Sequence, residues 1–386
     1  MKRRDFLLTS AAAGVAVLVP RFAFAQSTAA TGYSKLLVLV ELKGGNDGLN
    51  TVVPYGDSSY YALRPRIGVR RDDVLQLDGR SGLHPSLAPL MPVWQARELA
   101  VVQGVGYPSP NLSHFRSIEI WDTASRAEEY LTDGWLARAF ASAPVPKSFA
   151  ADGVVVGASE LGPLAGGGAR AVALANTEQF LRQAKLAQPA RGAGNRALAH
   201  LLKVEADVVQ AASGLNGNRE FRTQFPQGPF GSAVKTAAQV VASEAGVAAV
   251  RISLNGFDTH QNQPGAHANL LRQLGEGLVA LRAALQELGR WDSTLVLTYA
   301  EFGRRAQENG SNGTDHGTAN AHFALGGRVR GGLYGDGPRL DRLEGGNLPY
   351  AVDFRSLYAT VLERWWGVPS AGPLGGRFSP VDLVKA

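Results

Sequence analysis

The sequence predicts an α/β fold in which helices cover both faces of a mostly parallel sheet. Short apolar runs that suit buried strands alternate with helical patterns from one end of the chain to the other. The 386 residues are 45% hydrophobic and 19% charged, which is ordinary globular composition and enough for one large domain or two smaller ones. No internal repeat or linker is evident, so we predict a single domain over 35–386 with an insertion around 140–230.

Six apolar runs are predicted as strands. The first, Leu36–Val40, is a continuous run of leucine and valine, typical of a strand buried on both faces. Two glycines follow soon after it and indicate a turn. The other predicted strands are Leu99–Val105, Val154–Val156, Val247–Leu254, Thr294–Tyr299 and a last run at His322–Gly326.

The segments between these strands have helical spacing. The clearest is Ala268–Leu288, whose leucines recur every three or four residues and predict an apolar face packed on the sheet. Phe354–Trp366 is predicted as a closing helix with Asp353 as its N-cap. The other predicted helices are Leu87–Glu98, Ser113–Ala124, Asn195–Ala212 and Gly231–Ser243.

Residues 1–25 predict an export signal. Lys2-Arg3-Arg4-Asp5 precede an alanine-rich apolar stretch, and Ala23-Phe24-Ala25 provides a small-x-small cleavage site. Paired arginines followed by Asp-Phe-Leu are similar to a twin-arginine signal, with an ordinary secretory leader as the alternative. We therefore expect the twin-arginine translocase as a partner during export and a mobile lead-in at 26–34. The mature protein would be exported folded, would lie in the periplasm or outside the cell, and would have no transmembrane segment.

Charge and cysteine content exclude several classes of function. The formal net charge is +6, and the leader holds four of the 39 basic and one of the 33 acidic residues, which leaves the mature chain near +3. No basic run is interleaved with aromatic residues, so nucleic acid is not a predicted partner. The absence of cysteine excludes disulfides, thiolate metal sites and cysteine nucleophiles. A metal would be held by His, Asp, Glu or Asn, which suits zinc, manganese, magnesium or calcium.

Acidic and histidine side chains collect at the ends of the predicted strands. Sites in open α/β sheets form just beyond the carboxyl ends of the strands, so these side chains are expected to meet. Asp47 follows the first strand in the stretch Gly44-Gly45-Asn46-Asp47. The other strand-end residues are Ser113 and His114, Asp258 and His260, Glu301 and Arg304, and His316.

Each of these residues alone also has a structural interpretation. Asp258 and His260 are two apart, so both face one side of an extended segment, where they fit one metal or serve as a surface aspartate and a capping histidine. Glu301 ends a buried strand, where a carboxylate is costly unless it is bound to a metal or paired, for example with Arg304. Asp47 could equally be a loop aspartate in a glycine turn.

Ser113 begins a predicted helix. A helix N terminus favours negative charge and offers free N–H groups, and a serine beside a divalent cation is a stronger nucleophile. The alternative is an N-cap serine, the commonest role of serine at that position.

Taken in order, these motifs resemble the alkaline phosphatase and arylsulfatase superfamily and, more closely, the exported bacterial family known as domain of unknown function fifteen-oh-one. The resemblance covers nearly the whole mature chain. It rests on the twin-arginine leader, GGNDGLN at 44–50, LSHFRSIEIWDTA at 112–124, GFDTH at 256–260, TYAEFGR at 298–304 and DHGTANAHFALGG at 315–327. It implies an alkaline-phosphatase-like three-layer α/β/α sandwich with two metals bridged by substrate.

The resemblance also implies roles for the strand-end residues. Ser113 would be the nucleophile that attacks phosphorus or sulfur, and the two cations would stabilise the attacking and leaving oxygens. Arg304 would hold the anionic oxygens of the substrate, with Asn46 beside it. One metal would be served by Asp47, Ser113 and Glu301, and the other by Asp258, His260 and His316.

The chain departs from the superfamily in three respects. One is that Asp258 and His260 are closer together than in the usual phosphatase pattern. Glu301-Phe302 stands where the phosphatases carry Asp-His, so one imidazole ligand is missing. Either His114, which is also a candidate to assist catalysis, replaces it, or the second metal is weakly bound or absent. Neither Ser109 nor Ser113 is followed by the x-Pro-x-Arg pattern of sulfatase nucleophiles, which argues against a formylglycine sulfatase.

We therefore predict an exported metal-dependent hydrolase of small anionic phosphate or sulfate esters. It would bind one or two divalent ions, zinc first, with manganese, magnesium or calcium as alternatives. The competing prediction is a non-catalytic binding or assembly protein on the same scaffold, in which the metal is vestigial or structural.

Overall fold

The computed structural model describes residues 32–184 and 219–385, together with a few isolated positions between 207 and 215. The predicted leader, most of the lead-in and almost all of the predicted helix Asn195–Ala212 lie outside the described residues. The chain from Thr31 to Ala386 is one compact unit. Gly32–Ser34, at the end of the lead-in, form a 3₁₀ turn in which Tyr33 is buried, and its hydroxyl donates to the Ala143 carbonyl at 2.6 Å.

Twelve strands lie in the described part of the chain. They are β1 Leu36–Lys43, β2 Val52–Val53, β3 Leu75–Gln76, β4 Gly82–Leu83, β5 Leu99–Gly106, β6 Ala151–Val156, β7 Ala171–Leu174, β8 Val247–Asn255, β9 Thr294–Tyr299, β10 Asn320–Leu325, β11 Gly332–Tyr334 and β12 Val352–Asp353. Every predicted strand is present, and Thr294–Tyr299 has the predicted bounds.

The helices of the described residues alternate with these strands. They are α1 Gly48–Thr51, α2 Ser58–Leu63, α3 Met91–Gln95, α4 His114–Thr123, α5 Trp135–Ser142, α6 Thr177–Ala184, α7 Pro229–Val241, α8 Gln263–Glu287 and α9 Phe354–Ala359, which continues as a π-helix over Thr360–Trp366. Further 3₁₀ turns lie at Arg71–Asp73, Pro85–Leu90, Gly162–Leu164 and Trp291–Ser293.

The main sheet has the strand order β11-β5-β10-β9-β1-β8-β6-β7, with β12 also paired to β5. β10 runs antiparallel to both β5 and β9, and the other pairings in this sheet are parallel. The prediction of a mostly parallel sheet is therefore confirmed. Because β10 is reversed, it begins at the edge of the sheet where its neighbours end. β2, β4 and β3 form a separate small antiparallel sheet.

Both faces of the main sheet are covered, which gives the predicted three layers. Along β1, Leu36, Val38 and Val40 pack into one apolar core together with α7 and α8. Leu37 and Leu39 point the other way, into a second core that includes α4, α5 and α9. A strand buried on both faces needs apolar residues at every position, which explains the continuous run that predicts β1.

Two local predictions were wrong. The predicted helix Leu87–Glu98 is a 3₁₀ turn followed by the short α3, because Pro89 and Pro92 lack the N–H groups that a continuous helix needs. The strand β7 was not predicted, since only four residues form it and glycines precede it. Within the described residues, no helix combines the length and the apolar character needed to cross a bilayer.

Candidate metal centre

One rim of the sheet collects the strand-end segments predicted to carry the site. Asp258 and His260 follow β8, and Glu301 follows β9. His316 comes just before β10, which begins on the rim because it is antiparallel. His114 is the first residue of α4, on the loop that follows β5. The topology therefore brings segments far apart in sequence to one edge.

Asp258 lies at the centre of a histidine cluster. Its Oδ1 is 3.0 Å from Nε2 of His260 and 3.2 Å from Nε2 of His316, and its Oδ2 is 3.3 Å from Nε2 of His114. The two Nε2 atoms of His260 and His316 are 3.0 Å apart. Ligand atoms of His114, Asp258 and His316 all lie within 4.8 Å of one another, which is a spacing that one metal ion can span. We call His114, Asp258, His260 and His316 the Asp258 cluster.

The second ring nitrogens of two histidines fix their tautomers. His316 Nδ1 is 2.8 Å from the carbonyl oxygen of Leu112, which can only accept, so Nδ1 carries the hydrogen. His114 Nδ1 faces the carboxylate of Glu301 at 3.0 Å in the same way. In the neutral rings both Nε2 atoms then present lone pairs to Asp258. A metal ion or a proton between these lone pairs and the carboxylate would relieve their repulsion, and such outer partners are typical of metal-bound histidines.

The protonation states also suit a cation. Burial lowers the pKa of His316, and the nearby Arg304 and His114 add to this effect, so the ring stays neutral. Partial burial opposes ionisation of Asp258, but the hydrogen bond and charge of Arg304 outweigh it and lower the pKa of this carboxyl. Neutral imidazole and ionised carboxylate are the forms that bind metals.

Glu301 combines two roles in this arrangement. It is 3% exposed, and its Oε1 accepts from the Gly44 N–H at 2.9 Å as well as facing His114. Its Oε2 is buried and has no hydrogen-bond partner among the described residues. A buried carboxylate oxygen without a partner is costly, so this atom fits a cation, a proton or a water molecule.

Arg304 holds the loops of the site together through hydrogen bonds from its guanidinium. Its guanidinium is buried and donates to the carbonyls of Gly45 at 2.7 Å and Thr314 at 3.0 Å, and to Asp258 Oδ1 at 2.6 Å. It also bonds the carbonyls of Gly44 and Phe257. Its predicted contact with substrate stays a prediction, because the structure uses these donors to hold the loops after β1 and β8 together.

The two glycines after β1 make this close approach possible. A Cβ on Gly44 would lie 2.5 Å from the Asp258 backbone nitrogen, and a Cβ on Gly45 would lie 2.3 Å from the Phe302 ring. Both glycines also have positive φ, +114° and +79°. The sequence GG is therefore required for the loops that present Asp258 and Glu301 to pack against β1.

Asp47 lies close to this rim but is not a member of the Asp258 cluster. It caps α1, with Oδ1 accepting from the N–H groups of Leu49 at 3.1 Å and Asn50 at 3.3 Å. Its Oδ2 pairs with Arg64 at 2.6 Å and also accepts from Gln263. Burial opposes its ionisation, but Arg64 lowers the pKa. The metal role of Asp47 stays a prediction, and here Arg64 supplies the positive charge.

Asn46 is fully buried and points into the core. Its amide nitrogen donates to the Thr51 hydroxyl at 2.9 Å, and its oxygen is 2.9 Å from His267 Nε2. Burial lowers the pKa of His267 to about 3, so that ring is neutral. Its predicted substrate contact stays a prediction, and the bonds formed here stabilise the turn after β1.

Ser113 is the N-cap of α4, as one of the two interpretations predicted, yet its side chain makes no capping hydrogen bond. It is exposed, and its backbone N–H donates to Asn111 Oδ1 at 2.9 Å. The next residue is His114 of the cluster. The Ser113 hydroxyl is therefore uncommitted and lies at a helix N terminus beside the Asp258 cluster.

Sequence reasoning missed Arg64 and Gln263, the side-chain partners of Asp47. Neither follows a strand end, and Arg64 is 17 residues from Asp47 along the chain. It also missed Phe302, whose ring lies 5.0 Å from that of His114 and 4.4 Å from that of His316. In the sequence, Phe302 stood out only as the residue in place of a phosphatase histidine.

A family model described as a protein of unknown function (DUF1501) matches residues 79–369. The chain belongs to this family. The membership predicted from the order of motifs is confirmed. No curated protein matches the DUF1501 chain.

Several solved structures are similar to this DUF1501 protein. The PsFucS1 sulfatase from Pseudoalteromonas sp. is 12% identical, with a TM-score of 0.39 over 90% of this chain and 70% of that one. The phosphonate monoester hydrolase SpPMH from Silicibacter pomeroyi is 11% identical, with a TM-score of 0.39 over 89% and 76%. The lipoteichoic acid synthase LtaP from Listeria monocytogenes is 10% identical, with a TM-score of 0.38 over 89% and 75%. At these values the likeness says nothing about the reaction of this chain.

Proposed function

We propose that this DUF1501 protein is a metal-dependent hydrolase of phosphate or sulfate monoesters. The observation that supports it best is the Asp258 cluster, in which three imidazole Nε2 atoms surround one carboxylate at 3.0–3.3 Å. The set holds no thiolate and several imidazoles, which suits zinc, with manganese as an alternative.

Four side chains would hold the ion: His114, Asp258, His260 and His316. Glu301 would support His114 from its second nitrogen, and its unpartnered Oε2 offers one ligand to a second ion. When bound, a divalent ion supplies Lewis-acid stabilisation of the negative charge that develops on an ester oxygen.

Ser113 would be the nucleophile. Its hydroxyl is exposed and uncommitted at the start of α4, where the positive end of the helix dipole favours an anionic ester. The Ser113 oxygen would attack phosphorus or sulfur, the bond to the leaving alcohol would break, and water would later release the serine ester. His114 was predicted to assist catalysis. Its two nitrogens face Glu301 and Asp258, which favours a ligand role.

The leader motif supports export by the twin-arginine route, which carries folded proteins and would allow the metal to be loaded before export. Replacing Arg3 and Arg4 with lysine should leave the full-length precursor in the cytoplasm. If the lysine variant is exported and processed like the wild type, the twin-arginine proposal is wrong.

One observation favours the second candidate, a non-catalytic binding protein with a structural metal. Asp47 is neutralised by Arg64, and the donors of Arg304 are bound to loops and to Asp258. Neither arginine is free in this structure to clamp an anionic substrate.

Ser113→Ala separates the two candidates. Purified protein loaded with zinc is assayed on a panel of aryl phosphate, phosphonate and sulfate esters. If the protein is a hydrolase, the wild type should be active, and Ser113→Ala should lower that activity at least about a thousandfold with metal content unchanged. Ser109→Ala, in the loop before α4, is the matched control and should keep wild-type activity. Equal rates above the uncatalysed background in all three proteins would rule out catalysis by Ser113, and rates no higher than that background would favour the binding protein.

A further inference from the structure

A cavity of about 300 Å³ lies apart from the Asp258 cluster. None of the cluster residues lines it. Its walls come from α1 and β2, from the start of β10 and from the segment 336–351. Buried apolar side chains dominate the inner wall: Leu49, Val52, Ala319, Ala321 and Leu348.

Gln103 is the unusual residue of this wall. It is 5% exposed and lies in β5, yet its side-chain amide makes no hydrogen bond to any described residue. Val101 packs into the core on one face of β5 and Val102 into the core on the other. Gln103 lies at an irregularity of β5, where the register with β10 shifts, and it lines the cavity together with Val52 and Ala321. Its amide is therefore directed into the cavity.

The amide of Gln103 is not among the buried side-chain groups that lack a partner, so water in the cavity reaches it. The neighbouring Asn320 differs, because its nitrogen donates to the Phe302 carbonyl at 3.1 Å and its oxygen accepts from the Ala321 N–H at 2.8 Å. Gln103 has a donor and an acceptor available to a molecule in the cavity.

The mouth of the cavity has balanced charge. Two arginines, Arg339 and Arg342, face two acids, Asp336 and Glu344. Arg339 is further neutralised by two hydrogen bonds to Asp341, at 3.0 and 2.9 Å. A polyanion would find no net attraction there. Tyr350, 43% exposed, adds an aromatic surface to the same wall.

We propose that this cavity binds a neutral, mostly apolar molecule with a flat ring, whose carboxamide-like edge pairs with Gln103. The amide of glutamine offers one donor and one acceptor side by side, which matches the edge of a carboxamide or a lactam. A volume of about 300 Å³ accommodates on the order of ten groups of the size of water, which is a ring with short substituents.

Benzamide is the probe for this site. Binding to the purified full chain is followed by NMR chemical-shift changes and by titration calorimetry. For a ligand of this size we expect a Kd on the order of 1 mM. Benzoate has the same shape but is charged, and should bind at least about tenfold more weakly because its carboxylate would be desolvated.

Two variants locate the binding. Gln103→Leu keeps the side-chain volume and removes the donor and acceptor, and should weaken benzamide about five- to tenfold. Ala351→Leu is an exposed change at the mouth, next to Gly104, and should weaken it by obstruction without affecting folding. Melting temperatures and zinc content report whether each variant is intact.

Three results would overturn the proposal. These are no benzamide binding at millimolar concentration, equal affinity of wild type and Gln103→Leu, and benzoate binding as tightly as benzamide. None of them bears on hydrolysis, because ester turnover is measured separately and the cavity shares no residue with the Asp258 cluster.

Discussion

Glu301→Gln tests whether the carboxylate behind His114 supports a metal ligand. Glu301 Oε1 is 3.0 Å from His114 Nδ1, and the opposite nitrogen of that ring is 3.3 Å from Asp258. A glutamine keeps the shape and can still accept from the Gly44 N–H. The substitution removes the negative charge of Glu301. That charge holds the tautomer of His114 and makes His114 Nε2 more basic.

The expected loss is ten- to hundredfold in zinc affinity, or about 1.4 to 2.8 kcal/mol. The stability of the metal-free protein should stay equal or rise, because the buried Oε2 that lacks a partner is replaced by a neutral group. A merely structural carboxylate would show the opposite pattern, with lower stability and unchanged affinity.

Zinc affinity is measured by competition with a chromophoric chelator, and stability by urea unfolding of metal-free protein. Asp315→Asn is the matched control. Asp315 is 55% exposed and 3.7 Å from His260 Nδ1, so its loss should change affinity less than about twofold. If Glu301→Gln binds zinc as tightly as this control does, the ligand role of His114 is refuted.

Three further predictions concern stability. Arg64→Met leaves the buried Asp47 carboxylate without its partner at 2.6 Å and should lower the free energy of unfolding by about 3–5 kcal/mol, as measured with urea. Adding Asp47→Asn should restore part of that loss. An unchanged urea midpoint in Arg64→Met would show that the pair is not needed. Chelation of zinc should lower the Tm by several degrees, since an ion bound only by the folded state stabilises it, and an identical Tm would mean that no such ion is bound. Burial lowers the pKa of His322 to about 3, so from about pH 3 to 6.5 the unfolded state binds the extra proton and the free energy of unfolding rises with pH. In metal-free protein, His322→Leu should reduce that slope by up to about 1.4 kcal/mol per pH unit. An unchanged slope would contradict the buried neutral ring.

The fold was predictable where burial imposes a periodic pattern. β1, β8 and β9 lie in the middle of the sheet, so nearly every residue is apolar and the run shows in the sequence. The direction of β10 was not predictable, because its apolar run reads the same whether it is parallel or antiparallel. That direction places His316 on the rim beside Asp258.

The sequence predicted which strand-end residues belong to the site, but it did not predict which side chains pair with one another. Asp258, His260 and His316 meet as the rule for strand ends suggests, and His114 joins them at the start of α4. The pairing of Asp47 with Arg64 depends on how α2 packs against the turn after β1, and no local pattern encodes that contact. For the same reason the bonds by which Arg304 holds the loops together could not be predicted.

Metal stoichiometry tests the central claim most directly. Protein purified from zinc-supplied cells is analysed for metals, alongside a His260→Ala/His316→Ala variant with an unchanged fold by circular dichroism. The Asp258 cluster predicts about one zinc ion per wild-type chain and almost none in the variant. Wild-type protein that binds no divalent ion, or a variant that retains as much as the wild type, would contradict it.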